Sequence, residues 1–180
     1  MSVVNNFFGH LRTITKHRHM VIKHCKKAGI LWQGLRHDLS KYSPTEFIPG
    51  VKYYTGTKSP NEGERIDKGY SVAWLHHKGR NRHHTEYWCD TSAPDPTPIM
   101  PYEFVAEMLC DKMAAGIIYE GKNWTKEYEL QYWLNEKDKV LVNSKIKDLI
   151  TDCLTQVAEK GIDEVYTKKN FKELYKKYCS

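Results

Sequence analysis

Apolar residues at the start of the chain recur with the period of an α-helix. Over residues 5–28, Phe7, Leu11, Ile14, Val21, Ile22 and Cys25 fall on one side when each residue is turned 100° from the last. So long a stripe commits the segment to an amphipathic helix, and Gly29 ends it. The period returns downstream. Residues 30–36 are short and apolar, with Trp32 and Leu35, and residues 62–78 read as one helix with a buried line through Ile66, Tyr70, Ala73 and His77. After Pro101, suited to a first turn, Phe104, Met108, Asp111 and Ala115 align. Three further helices are expected over residues 125–140, 144–160 and 167–178, with Gly161 as a break. There Leu130, Trp133, Leu134, Ile146, Leu149, Ile150, Leu154 and Val157 supply packing. No run alternates as a strand would, and no internal repeat or G-x-G-x-x-G loop is present. The expectation is an all-α, single-domain helical bundle over residues 1–180, a length that one core can serve.

Connections are legible too. Ser43-Pro44-Thr45-Glu46 reads as a capping box opening a helix, and residues 50–63 as a loop over Tyr53 and Tyr54. Residues 90–101 carry four prolines and must run irregularly over the surface. Five widely spaced cysteines without a C-x-x-C indicate neither a disulfide framework nor a structural zinc motif, and with no leader and no long apolar run the expectation is a cytoplasmic protein without a membrane partner. The net charge of +6 comes from lysines spread along the chain rather than from one basic stripe, so long nucleic acid is a possible but disfavoured partner.

The nine histidines all lie before residue 85, more than an ordinary core would use there. On the first helix His17 sits at the edge of the apolar stripe with His10 and His24, while His19 faces solvent. His37 and Asp38 are adjacent at a helix junction, where an imidazole and a carboxylate can share one cation: Mn, Fe, Co, Ni, Zn or Mg. His77 continues a buried line and His76 turns off its edge. The run that follows joins His83 and His84 to Arg80, Asn81 and Arg82, groups suited to a metal-bound anion. Asp111 interrupts an apolar stripe and needs a cation, a base or a helix N-terminus opposite it, since an unpaired buried carboxylate costs several kcal/mol. Glu107, one turn earlier, is a weaker candidate for the same cluster. Tyr42, Tyr87 and Trp88 lie beside these motifs and are read as packing residues that could stack on a base.

Taken in order, His17 with Val21, His37-Asp38 with Lys41, His77, His83-His84 and Asp111 resemble the HD-domain metal-dependent phosphohydrolase superfamily. The chain further resembles a bacterial and phage family of unassigned activity with H-D-L-S-K-Y-S-P and N-x-H-H-x-E-Y-W signatures, here residues 37–44 and 81–88. The resemblance implies an HD-type helical fold whose metal-binding part covers about residues 10–120, with 121–180 as scaffold. The run from His17 to His37 is shorter than the usual HD spacing, so His10 or His24 stays open as the first ligand. In the site so implied, His17, His37, Asp38 and Asp111 hold one divalent cation, and His77 with His83 or His84 holds a second bridged through Asp38. Asp38, Lys41, Arg80 and Arg82 are the expected catalytic groups, and Lys41, Arg80, Asn81 and Arg82 the expected substrate ligands. The expected activity is hydrolysis of a small phosphorylated metabolite, a nucleotide or cyclic nucleotide foremost. A dinuclear-iron oxygenase and a non-enzymatic module for nucleic acid or a protein partner are the alternatives.

Overall fold

Helix α1 (Val3–Lys27) is the spine on which both halves of the chain assemble. The computed structural model describes residues 2–180, which form ten α-helices and no strand among the described residues. After α1 come α2 (Leu31–Arg36), α3 (Pro44–Lys52), α4 (Pro60–Lys68), α5 (Val72–Lys78), α6 (Tyr102–Glu120), α7 (Tyr128–Glu136), α8 (Ser144–Lys160), α9 (Ile162–Val165) and α10 (Lys168–Cys179). Single 3-10 turns lie at Leu39–Tyr42, Thr85–Trp88 and Gly121–Asn123. Ser2 caps α1 by accepting from the Asn5 N–H, and Gly29, at φ +73°, turns the chain away where an L side chain would be strained.

Helix α6 is the centre of the core. Val105, Ala106, Met108, Leu109, Cys110, Met113 and Ala114 are all buried, so α6 is apolar around most of its girth and must be enclosed. Val21 and Cys25 of α1 cover one side, and the α8 stripe of Ile146, Leu149, Ile150, Leu154 and Val157 covers another with Trp133, Phe171 and Leu174. Helices α3, α4 and α5 form a smaller layer beside α1. The candidate site residues lie between that layer and α6. No helix of the described residues is long and apolar enough to cross a membrane.

Several boundaries differ from the sequence reading. Residues 62–78 are two helices, because Gly69 adopts φ +81° and Ser71 caps a new helix by accepting from the Trp74 N–H. Ile66 and Tyr70 are consequently 80% and 55% exposed, and only Ala73 and His77 of the expected line are buried. The residue that α4 buries is Glu64, whose carboxylate accepts from Ser71 Oγ at 2.7 Å and the Ala73 N–H at 3.2 Å. The expected loop over residues 50–63 shrinks from both ends, since α3 runs to Lys52 and α4 starts at Pro60. At α3, Ser43 takes the cap position without a side-chain hydrogen bond, and Glu46 reaches histidines instead of closing a capping box. Leu134 is exposed, on the outer face of the short α7.

Candidate metal centre

Each polar residue of the centre is delivered by an element that is otherwise packed. α1 turns His17 inward on the face that also buries Ile14 and Val21. α2 ends on His37, and the next residue, Asp38, is the one non-glycine with positive φ among the described residues, at φ 52° and ψ 28°. Aspartate tolerates this left-handed region better than most side chains, at a cost on the order of 1 kcal/mol. The kink aims the carboxylate inward and starts the 3-10 turn that brings the Lys41 ammonium to 2.7 Å from Asp38 Oδ2. α5 contributes His77, the turn after it His83 and His84, and α6 Asp111 and Glu107.

Two four-residue groups result, sharing Asp38. In the first, His17 Nε2 is 2.8 Å from Asp111 Oδ1, and His37 Nε2 is 3.2 Å from Asp38 Oδ2 and 3.3 Å from Asp111 Oδ1. In the second, His77 Nε2 is 2.9 Å from His84 Nε2 and 3.3 Å from Asp38 Oδ1, with His83 Nε2 at 3.5 Å from the same oxygen. Ligand bonds of about 2.0–2.2 Å set neighbouring donor atoms about 2.9 Å apart at right angles and about 3.4 Å apart at the tetrahedral angle, which is the spacing seen. Asp38 thus turns one oxygen to each group.

The donor set fits divalent cations on a second count. His37 Nε2, His83 Nε2 and Asp38 Oδ1 are buried with no hydrogen-bond partner, an arrangement that costs several kcal/mol if nothing meets them. Their opposite edges are satisfied. His37 Nδ1 lies 2.9 Å and His83 Nδ1 3.2 Å from Glu107 Oε1, and His77 Nδ1 lies 2.7 Å from Glu46 Oε2. An N–H donated to those carboxylates leaves the Nε2 lone pairs aimed at the centre, the usual support of a metal-ligating histidine. Glu46 also holds His76 Nδ1, at 2.6 Å, so His76 steadies the support.

Burial alone would raise the Asp38 carboxyl, but the His37 charge and the Lys41 ammonium outweigh it and hold it well below the usual range. Asp111 is lowered in the same way, by His17 and His37 against burial. His37 is the mirror image: burial would lower it, and the Asp38 charge, with the carboxylate oxygens of Asp111, Asp38 and Glu107 facing its ring nitrogens as acceptors, raises it well above 6.5. Burial lowers His17 and, more strongly, His84, where the His83 charge adds to the effect.

The structure brings His17, His37, Asp38, His77, His83, His84, Asp111 and Lys41 together and separates the rest. His10 packs against Phe47 and Gly50, and His24 against Tyr166, so neither joins a ligand group. Arg80 and Arg82 are exposed and line neither cavity at the centre; Arg82 instead lies over the rings of Tyr87 and Phe104. Asn81 is turned to support, donating to Ser40 Oγ at 2.9 Å and to the His77 carbonyl at 2.8 Å. Trp88 packs on Phe104, whereas Tyr42 and Tyr87 are partly exposed. Two cavities of about 200 and 390 Å³ meet at Trp74, His84, Asp111 and Tyr119, and the smaller one opens onto Lys41 and Tyr54. Glu46, Trp74 and Tyr119 belong to the site although the sequence reading gave them no part in it.

A family model described as a family of unknown function (DUF5662) matches residues 6–156, and the chain belongs to that family. No curated protein and no solved structure matches the chain.

Proposed function

We propose that this member of the family is a two-cation phosphohydrolase acting on a small phosphorylated metabolite, with nucleotides and cyclic nucleotides as the leading substrate class. The observation that carries the reading is Asp38, buried to 2% exposure, which offers one oxygen to each of two His/carboxylate groups while an ammonium stands beside it in an open cavity. Divalent cations in this donor set would supply activation of a water nucleophile and charge stabilisation for the attacking and leaving oxygens of an in-line displacement.

The chain's own residues complete the chemistry. Asp38 fixes the two ligand groups relative to one another, and Glu46 and Glu107 hold the imidazoles in one tautomer and orientation. Lys41 stays charged, because Asp38 and Asp111 outweigh the effect of burial and raise its pKa. It therefore acts as a fixed point charge for a phosphoryl oxygen and not as a base. His10, in the same cavity, is pushed by burial, with a smaller effect of Lys41, to about 4 and is neutral at pH 7. Trp74 and Tyr119 wall the centre and limit the water that reaches it.

The same donor set would accept iron, and an iron-dependent oxygenase is the second reading. A lysine held charged in the cavity favours the hydrolase, since it serves an anionic substrate. A binding module for nucleic acid fits less well: ionised Asp38 and Asp111 repel phosphate unless cations intervene. The test is incubation with Mn²⁺, Co²⁺, Ni²⁺ or Mg²⁺ in turn and a panel of nucleoside monophosphates, cyclic mono- and dinucleotides and short single strands. Phosphate release or ring opening that Asp38→Ala abolishes supports the hydrolase. Oxygen consumption with iron and no phosphoester cleavage supports the oxygenase, and salt-sensitive nucleic-acid binding that survives in Asp38→Ala supports the binding module.

A further inference from the structure

The larger cavity reaches from the cation centre to the C-terminal helices and ends on a carboxyl group with no role in the centre. Glu129 of α7 is 3% exposed, and its Oε1 has no hydrogen-bond partner. A Cβ on Gly116 would fall 1.4 Å from that oxygen, so α6 is bare at the point where the carboxyl rests. A glycine inside a helix costs about 1 kcal/mol, and here it admits the carboxyl. The Lys112 ammonium lines the same cavity, over the rings of Tyr132 at 5.3 Å and Trp133 at 5.4 Å. Tyr128 and Tyr132 present near-parallel rings, 21° apart, at its wall. A buried acceptor pair, a cation and flat aromatic faces thus converge on a cavity whose other end is His83, His84 and Asp111.

Resting on the phosphohydrolase reading, we propose that this cavity reads a guanine base, with Glu129 accepting from the ring N1–H and the exocyclic amino group, Lys112 donating to the O6 carbonyl, and the tyrosines stacking on the ring. Guanine is the base whose edge offers two adjacent donors and one acceptor, so it satisfies every polar group of the pair. Adenine leaves one carboxylate oxygen unpaired, and uracil sets a carbonyl against it; an unpaired buried polar group is what rejects a near match. An alkylammonium group, the other partner for an aromatic cavity with a carboxylate, meets the Lys112 charge already seated over two of the rings. Burial raises Glu129 to about 7 against the pull of Lys112, and the Trp124 indole N–H faces it without forming a hydrogen bond, so the carboxylate form is secured by working near pH 8.

The experiment is calorimetric binding of 5′-GMP, 5′-AMP and 5′-UMP to the full chain at about pH 8, in parallel with the hydrolysis panel. The expected result is GMP about 10-fold or more tighter than the others, a ratio that falls to within about 3-fold in Glu129→Gln while AMP affinity is kept. Gly116→Ala, which evicts the carboxyl, and Lys112→Met provide independent routes to the same loss. No GMP preference in the unaltered chain overturns the proposal, as does a Glu129→Gln protein that is destabilised and weakened for all three nucleotides alike, the mark of a structural carboxyl. Phosphoester hydrolysis that depends on Asp38 without base preference refutes the guanine cavity and leaves the hydrolase. A Glu129-dependent GMP preference without cleavage under any metal does the reverse.

Discussion

Glu46→Gln and Glu107→Gln should weaken different cations, and the difference follows from which imidazoles each carboxylate holds. Glu46 supports His77 alone among the proposed ligands, through the 2.7 Å contact to Nδ1, and His77 belongs to one group. Glu107 supports His37 and His83, at 2.9 and 3.2 Å, and these belong to different groups. A hydrogen bond to a charged partner is worth about 1.5–3 kcal/mol, against about 1 kcal/mol for a neutral one. In Glu46→Gln, moreover, His76 and His77 meet different oxygens, so one of the two imidazoles then faces an amide N–H. Loss of such outer support costs about 10–100-fold in affinity, or roughly 1.4–2.7 kcal/mol per cation. Titration of metal-stripped protein with Mn²⁺ or Zn²⁺, fitted to two sites, reads this directly. Glu46→Gln should weaken one site and spare the other, whereas Glu107→Gln should weaken both. Equal weakening of both sites by Glu46→Gln, or a change under about 3-fold in Glu107→Gln, would refute the assignment of supports to ligands.

Two further outcomes test other parts of the structure. Lys41→Met should lower kcat/KM for a phosphoester by about 10²-fold or more, as expected for losing a fixed charge on a phosphoryl oxygen, whereas Arg80→Ala and Arg82→Ala should change it by less than about 3-fold; steady-state kinetics decides. His24, which burial and the Lys23 and Lys27 charges push to about 4, binds no proton in the folded chain where the unfolded chain already does. Stability should therefore fall as pH drops from 6.5 to 4, by up to about 3 kcal/mol for this group, with no such loss above 6.5. Thermal melts of His24→Phe should show a shallower acid slope, with His10 retaining its own share; an unchanged slope would contradict the role given to His24.

Periodicity makes the helical class legible, and the candidate ligands legible are those that break a helical stripe. Asp111 stands out because a carboxylate in the α6 stripe requires a partner, and His17 because it edges an apolar face. His77 is found through a line that is half solvent-exposed, since Gly69 divides the segment and Ile66 and Tyr70 point outward. Glu46 escapes because a glutamate three residues after a serine satisfies the capping pattern whether or not it caps; its binding of His76 and His77 depends on how α3 meets α5. Arg80 and Arg82 illustrate the converse: closeness in sequence to His83 and His84 does not bring a side chain to the centre, and both are exposed and line neither cavity there. A signal for Glu129 did exist, one turn before Trp133 on the buried side of α7, but a C-terminal third without histidine reads as scaffold until its cavity is seen.

The central claim is that Asp38 joins two cation groups, and metal content tests it most directly. Elemental analysis of untagged protein, purified without chelator and re-equilibrated with Mn²⁺, should give close to two equivalents per chain, falling to a small fraction of one in Asp38→Ala while the helical circular dichroism is kept. One equivalent that survives in Asp38→Ala, or none in the unaltered chain under any divalent cation, would contradict it.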